Sequence, residues 1–314
     1  MPRPQLCFSI QTPLEGATFD ALARHWQAAE RLGYDSVWLD DHFYGVVTPP
    51  WDDALECWTL MAALARETST LRFGTLVACN GYRPPALVAK MAASVDHISN
   101  GRLEFGLGAG WYEQEFAAYG YEFPGIGVRL RQLDEALHIC RLMWTKEKAT
   151  FAGTHHQVHE AWCNPKPVQK PHPPIMIGGG GEKTLLRIVA THADRWNLGG
   201  SVDDFQRKLP LLEAHCRAIR RDPATIEKSW FGNVIIEPDV ERLRRRLGKR
   251  AARSGATTGQ LEEQMIVGTP ARVIERIEEY AAVGVTHFIA MFGRVDRLES
   301  TELFGREVIP AFKV

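Results

Sequence analysis

Short apolar runs and amphipathic helical segments alternate regularly along the whole 314-residue chain. Each run is strand-sized, and the segment that follows it carries apolar residues at helical spacing. Eight such pairs are the count of a (β/α)8 barrel, so the sequence predicts an α/β fold built as one TIM barrel. The predicted strands cover residues 6–10, 36–39, 71–77, 103–107, 175–177, 194–197, 230–236 and 286–291.

Two segments interrupt the alternation and predict insertions on the rim of the barrel, at about residues 148–174 and 238–264. The first contains a hairpin-turn signal at residues 151–154 and five prolines between residues 165 and 174. The second is helical and basic. We interpret its basic run as a solvated helix face, with a clamp for an acidic ligand tail as the alternative. Because α/β barrels often fill about 250 residues or more as one unit, a single domain is predicted over residues 1–314.

The composition limits the partners that this chain is expected to bind. A formal net charge of −1 gives no reason to expect nucleic acid or an anionic membrane surface. No apolar run reaches the roughly 18 residues of a membrane span, and the N-terminus leads directly into a strand, so no signal peptide is expected. The six cysteines are widely spaced without a C-x-x-C pair. This pattern favours reduced thiols and a cytoplasmic location over disulfides or a zinc site.

Two glycine-rich turns follow neighbouring strands of the predicted barrel. They read Gly108-Ala109-Gly110, followed by Trp111, and Gly178-Gly179-Gly180-Gly181. Chemistry in such barrels occurs at the C-terminal strand ends, and free backbone N–H groups at a helix start favour an anion. We interpret the two turns as one anion site, with ordinary tight turns as the alternative. A dinucleotide-binding opening is excluded because three strand–helix units precede the first turn.

His42 directly follows the second predicted strand and is preceded by Asp41. An imidazole that titrates near neutral pH is a common proton donor or acceptor. We predict that His42 is a general acid and that Asp41 holds its tautomer or raises its pKa. The alternatives are a histidine that only positions a ligand and an aspartate that is solvated in a loop. Tyr82 or a bound water would be the next proton donor to consider.

Aromatic residues near the strand ends suggest a flat ligand above the anion site, although ordinary packing is the alternative, above all for the residue inside a strand. These residues are Trp38, Trp51, Trp111 and Tyr82.

No metal site is expected, because the histidines of residues 155–160 fit a hairpin better than a metal-binding helix. No lysine stands at a strand end for a Schiff base, and no acidic pair matches a glycosidase. A redox reaction would therefore need a cofactor to carry the chemistry.

Several motifs together resemble the luciferase-like monooxygenase superfamily, and particularly its deazaflavin-dependent branch (coenzyme F-420). The resemblance extends over essentially the whole chain. It is carried by residues 100–111 (NGRLEFGLGAGW), 74–77 (GTLV), 82–90 (YRPPALVAK), 177–185 (IGGGGEKTL), 193–197 (ADRWN) and 267–270 (VGTP).

The resemblance implies a barrel that is often dimeric, with the cofactor phosphate against the two glycine turns. It also implies that Asp41 and His42 are the Asp–His pair beside the reactive ring face, and that a cis non-proline peptide bond within residues 76–79 backs the ring. His42 would be catalytic, and the implied cofactor contacts are Asp41, His42, Leu76, Val77, Ala78, Cys79, Asn80, Gly108, Ala109, Gly110, Trp111, Gly178, Gly179, Gly180 and Gly181.

The chain departs from the branch at two positions. Trp111 stands where some deazaflavin dehydrogenases carry an acidic catalytic residue. Ala109 stands where flavin-using relatives carry an arginine, although Arg129 could still reach a phosphate.

We predict an oxidoreductase that transfers a hydride between coenzyme F-420 and a small or medium organic substrate. We also predict that the protein is a homodimer. The alternatives are an FMN-dependent monooxygenase and, in another class, a non-redox barrel that binds a phosphorylated ligand.

Overall fold

In the computed structural model, which describes residues 6–313, eight parallel strands close into a barrel. The strands in chain order are β1 (Cys7–Gln11), β2 (Ser36–Leu39), β3 (Arg72–Thr75), β4 (Ala78–Cys79), β5 (Leu103–Gly108), β6 (Lys148–Ala152), β7 (Gln157–Trp162), β8 (Ile175–Gly178), β9 (Arg195–Leu198), β10 (Glu227–Ile236), β11 (Ile266–Gly268) and β12 (His287–Met291). The ladder runs β12-β1-β2-β3-β5-β8-β9-β10, and β10 pairs with β12 to close the ring. The predicted barrel fold is therefore confirmed. The predicted domain boundaries include residues 1–5 and 314, which lie outside the described residues.

Helices surround the barrel and connect successive strands. They are α1 (Phe19–Arg31), α2 (Cys57–Leu64), α3 (Pro85–Ile98), α4 (Glu113–Ala118), α5 (Ile126–Thr145), α6 (Thr184–His192), α7 (Val202–Ala218), α8 (Val240–Ser254), α9 (Thr258–Gln264), α10 (Pro270–Ala282) and α11 (Glu299–Glu307), with short 3-10 helices at Pro223–Thr225 and Ile309–Ala311. Several begin where a side chain caps the first turn; Ser201 and Thr257 each form a reciprocal capping box. None of the helices within residues 6–313 is long and apolar enough to cross a membrane.

The structure corrects one predicted strand and adds another. Instead of one strand over residues 71–77, β3 ends at Thr75 and β4 starts at Ala78, because Leu76 and Val77 leave the ladder between them. The peptide bond between these two residues is the predicted cis non-proline bond. The short β11 was not predicted; it pairs with the last three residues of β10, where that strand extends past the barrel.

Both rim insertions have the predicted character. The first forms the antiparallel hairpin of β6 and β7, and the second contains the basic helix α8 followed by α9. Arg246 of α8 bonds to Glu237, to the hydroxyl of Ser300 and to the carbonyl of Ile236, so this member of the basic run stabilises the fold. The clamp for an acidic ligand stays a prediction for the remaining members.

Apolar side chains fill the inside of the barrel as well as the layer between strands and helices. Trp38, Met176 and Ile289 form the inner cluster, and all three are fully buried. The indole N–H of Trp38 donates to Ser36 Oγ at 2.9 Å. Trp38 is thus part of the barrel core, which contradicts the suggestion that it contacts a flat ligand.

Ion pairs occupy the opposite end of the barrel, where the strands begin. Glu104 near the start of β5 is 2% exposed and pairs with Arg72 of β3 and Arg195 of β9. Arg195 also contacts Glu227 of β10 at 2.9 Å. These side chains connect four strands at the end of the barrel that carries stability in this fold. Because the arginines are partly exposed and Glu104 is not, the carboxylate is the group that most needs its partners.

Removing the charge of Glu104 should destabilise the fold. Glu104→Gln leaves two arginines without their shared counter-charge, and we expect the free energy of unfolding to fall by about 2–3 kcal/mol. The control is Glu302→Gln, which breaks an exposed i,i+4 pair with Arg306 and should cost about 0.5 kcal/mol or less. Denaturant unfolding of both variants measures the difference. Equal stability of the two variants would contradict a structural role for Glu104.

Candidate active site

His42 lies at the C-terminal mouth of the barrel, just past β2, and is held there by Glu115 of α4. The distance between His42 Nδ1 and Glu115 Oε2 is 2.8 Å. A carboxylate accepts only, so Nδ1 carries the proton and donates it. No partner for Nε2 occurs among residues 6–313, and 16% of the His42 side chain is exposed. The second ring nitrogen is therefore free to exchange a proton with a ligand in the mouth.

Glu115 is a fully buried carboxylate that accepts three hydrogen bonds. Besides His42, the donors are the hydroxyl of Tyr82 and the backbone N–H of Phe43. Burial opposes the ionisation of Glu115, but these bonds outweigh it and hold its pKa below the ordinary value. Tyr82 is thereby committed as a donor, and burial, together with its bond to Glu115, raises its pKa. It is poorly placed to replace His42 as an acid.

The charge of Glu115 sets the protonation of His42. Burial disfavours the imidazolium, but the hydrogen bond and the negative charge of Glu115 outweigh burial and raise the pKa of His42. Smaller contributions come from Asp40 and Asp41. Burial also raises the pKa of Asp40, the residue before Asp41, to about 6.

Asp41 fills only part of its predicted role, because its charge adds a small share to the raised pKa of His42. Its carboxylate accepts hydrogen bonds from both terminal nitrogens of Arg83, at 2.8 and 3.0 Å, and from the backbone N–H of Cys79 at 2.9 Å. It makes no hydrogen bond to His42 within residues 6–313. The prediction that Asp41 holds the His42 tautomer is therefore wrong. Asp41 instead fastens the end of β2 to β4 and to the loop that follows.

The side chain of Val77 forms a shelf between the ends of β5 and β8. A Cβ added to Gly108 would lie 2.6 Å from Val77 Cγ2, and one added to Gly178 would lie 3.3 Å from Val77 Cγ1. Close approach of Val77 therefore requires glycine at the first position and favours it at the second. The next predicted cofactor-binding residues directly follow Val77 in the chain. Ala78 and Cys79 form β4, and the N–H of Asn80 donates to the Gly108 carbonyl at 3.0 Å.

The second glycine turn keeps backbone donors free. The N–H groups of Gly180 and Gly181 have no hydrogen-bond partner within the described part of the chain, whereas the N–H of Gly179 donates to the Asn197 carbonyl. Gly179 has φ +124°, and a Cβ there would lie 2.7 Å from Leu185 Cδ2. A side chain at Gly179 would thus be strained whatever the ligand, so this position cannot test anion binding by itself.

Arg129, in the first turn of α5, is a cation without a counter-charge. Its guanidinium lies 3.7 Å from the ring centroid of Phe123, and among residues 6–313 its buried Nε and Nη1 have no hydrogen-bond partner and it forms no ion pair. Phe123 packs on Phe116, which in turn packs beneath the first glycine turn at Gly110. Buried donors of this kind are normally satisfied, so the arrangement suits an anionic ligand group.

Aromatic rings form the rim of the mouth. Trp111 and Trp51 are 64% and 83% exposed, and the edge of His42 meets the Trp111 ring at a centroid distance of 5.9 Å. Tyr44 and Tyr119 stack on the outer side. Of the four aromatic residues singled out from the sequence, Trp51 and Trp111 remain available to a ligand, while Trp38 and Tyr82 are buried.

Sequence reasoning missed Glu115 as a functional residue. It stands in the acidic first turn of the helix after the glycine turn, where a carboxylate also suits the helix dipole. Glu115 directly precedes the apolar Phe116, and both are buried in α4. An acidic residue beside the apolar face of this short helix was therefore the available signal. The other predicted cofactor contacts all belong to strand ends or turns of the mouth, and their contact with a cofactor stays a prediction.

Known proteins similar to this chain include both F420-dependent and FMN-dependent enzymes. The luciferase-like monooxygenase family model matches residues 6–262. An F420-dependent glucose-6-phosphate dehydrogenase from Amycolatopsis mediterranei is 33% identical over 318 residues, covering 91% of this chain and 92% of its own. An FMNH2-dependent dimethylsulfone monooxygenase from Pseudomonas putida is 26% identical over 320 residues, covering 90% and 85%. A solved F420-dependent secondary alcohol dehydrogenase, in complex with an F420–acetone adduct, has a TM-score of 0.84 at 24% identity, covering 98% and 99%.

The link between Glu115 and His42 can be tested without any ligand. Glu115→Gln removes the negative charge, so the pKa of His42 should fall below its value in the wild type, as followed by NMR of the imidazole during a pH titration. Glu113→Gln, on the exposed side of the same helix, should leave that pKa unchanged. An unchanged His42 pKa in Glu115→Gln would show that the pair does not control its protonation.

Proposed function

The chain belongs to the luciferase-like monooxygenase family, and we propose that within it the protein transfers a hydride between the deazaflavin coenzyme F-420 and a small or medium organic substrate. The observation that carries this proposal is the free Nε2 of His42. The other ring nitrogen, Nδ1, is held by the buried carboxylate of Glu115. The similarity to the glucose-6-phosphate dehydrogenase, over 91% of this chain, supports the choice of cofactor.

The proposed cofactor matches features of the mouth. The Val77 shelf would back a flat ring, and the free N–H groups of Gly180 and Gly181 would donate hydrogen bonds to a phosphate oxygen. The unpaired guanidinium of Arg129 suits an anionic group of the same ligand. When bound, the deazaflavin would supply the hydride chemistry that no side chain of this site can supply.

His42 would handle the proton that accompanies the hydride. Reduction of a carbonyl, an imine or an activated alkene leaves negative charge on the substrate, and an imidazolium at Nε2 would neutralise it. In the reverse direction the neutral ring would accept the proton. Glu115 would act as the positioning residue, since it fixes the ring and favours its protonated form.

An FMN-dependent monooxygenase is the second candidate. The similarity to the dimethylsulfone monooxygenase extends over 90% of this chain, and Arg129 would serve the phosphate of either cofactor. The non-redox alternative gains no support from the family. The homodimer, the cytoplasmic location and the identity of the substrate stay predictions.

Cofactor titrations separate the candidates. Purified protein should bind the deazaflavin more tightly than FMN, measured by fluorescence, and a simple sugar phosphate more weakly than either. Arg129→Ala should weaken cofactor binding by about tenfold or more, the effect of losing a charge-assisted hydrogen bond. Arg131→Ala, an exposed neighbour on α5, is the matched control. Tighter binding of FMN, or FMN retained through purification, would favour the second candidate instead.

His42→Ala should lower kcat by about 10²–10⁴ and change cofactor affinity less than roughly tenfold. Single-turnover rates with saturating cofactor measure this difference. Since the acid form is active in the reducing direction, turnover should decline as pH rises through the His42 pKa, and Glu115→Gln should move that decline to lower pH. Nearly normal turnover in His42→Ala would exclude the acid role.

A further inference from the structure

Three ligating side chains meet on the outer surface of the barrel, between α5 and α6. Asp134 and His138 are four residues apart on α5 and therefore project from the same face of that helix. His192 ends α6. Because helices of the barrel run back toward the N-terminal strand ends, the end of α6 lies away from the mouth that contains His42.

The geometry of this cluster is compact. His192 Nε2 is 2.8 Å from Asp134 Oδ1, and the rings of His138 and His192 meet edge to face at a centroid distance of 4.5 Å. One ligand atom from each of the three side chains can be chosen so that all lie within 4.8 Å of one another. The cluster combines two imidazoles with one carboxylate, which is a donor set that zinc commonly takes.

An ion pair between Asp134 and His192 explains only part of this arrangement. His192 is 2% exposed, and its Nε2 is the nitrogen that faces Asp134. His138 is exposed and uses Nδ1 on the Asp134 carbonyl at 3.0 Å, and its Nε2 has no hydrogen-bond partner within residues 6–313. This second imidazole is not needed for the ion pair.

We propose that Asp134, His138 and His192 form a divalent transition-metal site, suited to Zn²⁺, that links α5 to α6. Tetrahedral ligands at about 2.0–2.1 Å from zinc lie roughly 3.3 Å apart, so the three ligand atoms, now within 4.8 Å of one another, must move closer on binding. Three protein ligands leave a fourth position for water. The site is separate from the mouth, since none of its ligands belongs to the mouth.

A neighbouring arginine competes with the metal for the carboxylate. Arg187 Nη2 is 3.5 Å from Asp134 Oδ2, and 52% of the Arg187 side chain is exposed. The long contact and the exposure allow the guanidinium to move into solvent when a cation binds. Removal of this competitor should therefore strengthen metal binding, which a simple ion-pair cluster does not predict.

Zinc binding to the chelator-stripped full-length protein tests the proposal. Titration with Zn²⁺ against a chromophoric chelator should give one tight site in the wild type, and native mass spectrometry should give one ion per chain. His138→Ala, a change at an exposed position, should weaken that site by about tenfold or more. His159→Ala, on the exposed face of the hairpin, is the matched histidine control and should bind like the wild type. Arg187→Ala should bind more tightly.

Thermal unfolding provides a second measurement. Zn²⁺ should raise the melting temperature of the wild type and of His159→Ala, because a ligand that binds only the folded state stabilises it. At the same Zn²⁺ concentration it should raise that of His138→Ala by less. Absence of a tight site in the wild type would overturn the proposal. So would equal affinity in His138→Ala, since the zinc would then be held elsewhere, for example by the histidines of the hairpin.

Discussion

The candidate active site depends on one buried carboxylate. Glu115 has no exposed side-chain surface, and a buried charge of this kind persists only where hydrogen bonds replace water. Its three donors come from the loop after β2 and the loop after β4, so one side chain of α4 fixes two strand ends at once. The orientation of His42, the commitment of Tyr82 and the path of the chain at Phe43 all follow from that requirement.

Other charged side chains of the mouth are also paired with neighbouring groups. Asp41 and Arg83 satisfy each other, and Lys208 beside the second glycine turn bonds to Glu182 and to the Gly180 carbonyl. Such pairs leave little net field for a ligand. Arg129 is the contrast, because its buried nitrogens have no partner within residues 6–313. These unpaired nitrogens would suit an anionic group that entered the mouth.

The fold was predictable because most barrel strands and helices follow a local apolar pattern, and β2 was predicted at its observed bounds. His42 and the glycine turns were predictable because barrel chemistry belongs to strand ends. The partner of His42 was not predictable, because tertiary packing decides which carboxylate reaches the ring. Asp41 is adjacent in sequence but binds Arg83, while Glu115 comes from α4. At the Asp134 cluster the spacing of Asp134 and His138 is local, but His192 is 58 positions from Asp134, so only the tertiary structure brings the three together.

The glycines of the mouth do not by themselves indicate which cofactor binds. Gly108 makes room for Val77, a packing requirement that holds for any flat ring placed on that shelf. Selection of the substrate must therefore depend on other groups. Trp51 and Trp111 expose most of their surface at the rim, and covering apolar surface is worth about 25 cal/mol per Å². Because the His42 and Trp111 rings are only 5.9 Å apart between centroids, a substrate bound beside His42 would lie close to the Trp111 ring. With most nearby charges already paired, the mouth should select its substrate by shape and apolar area more than by charge.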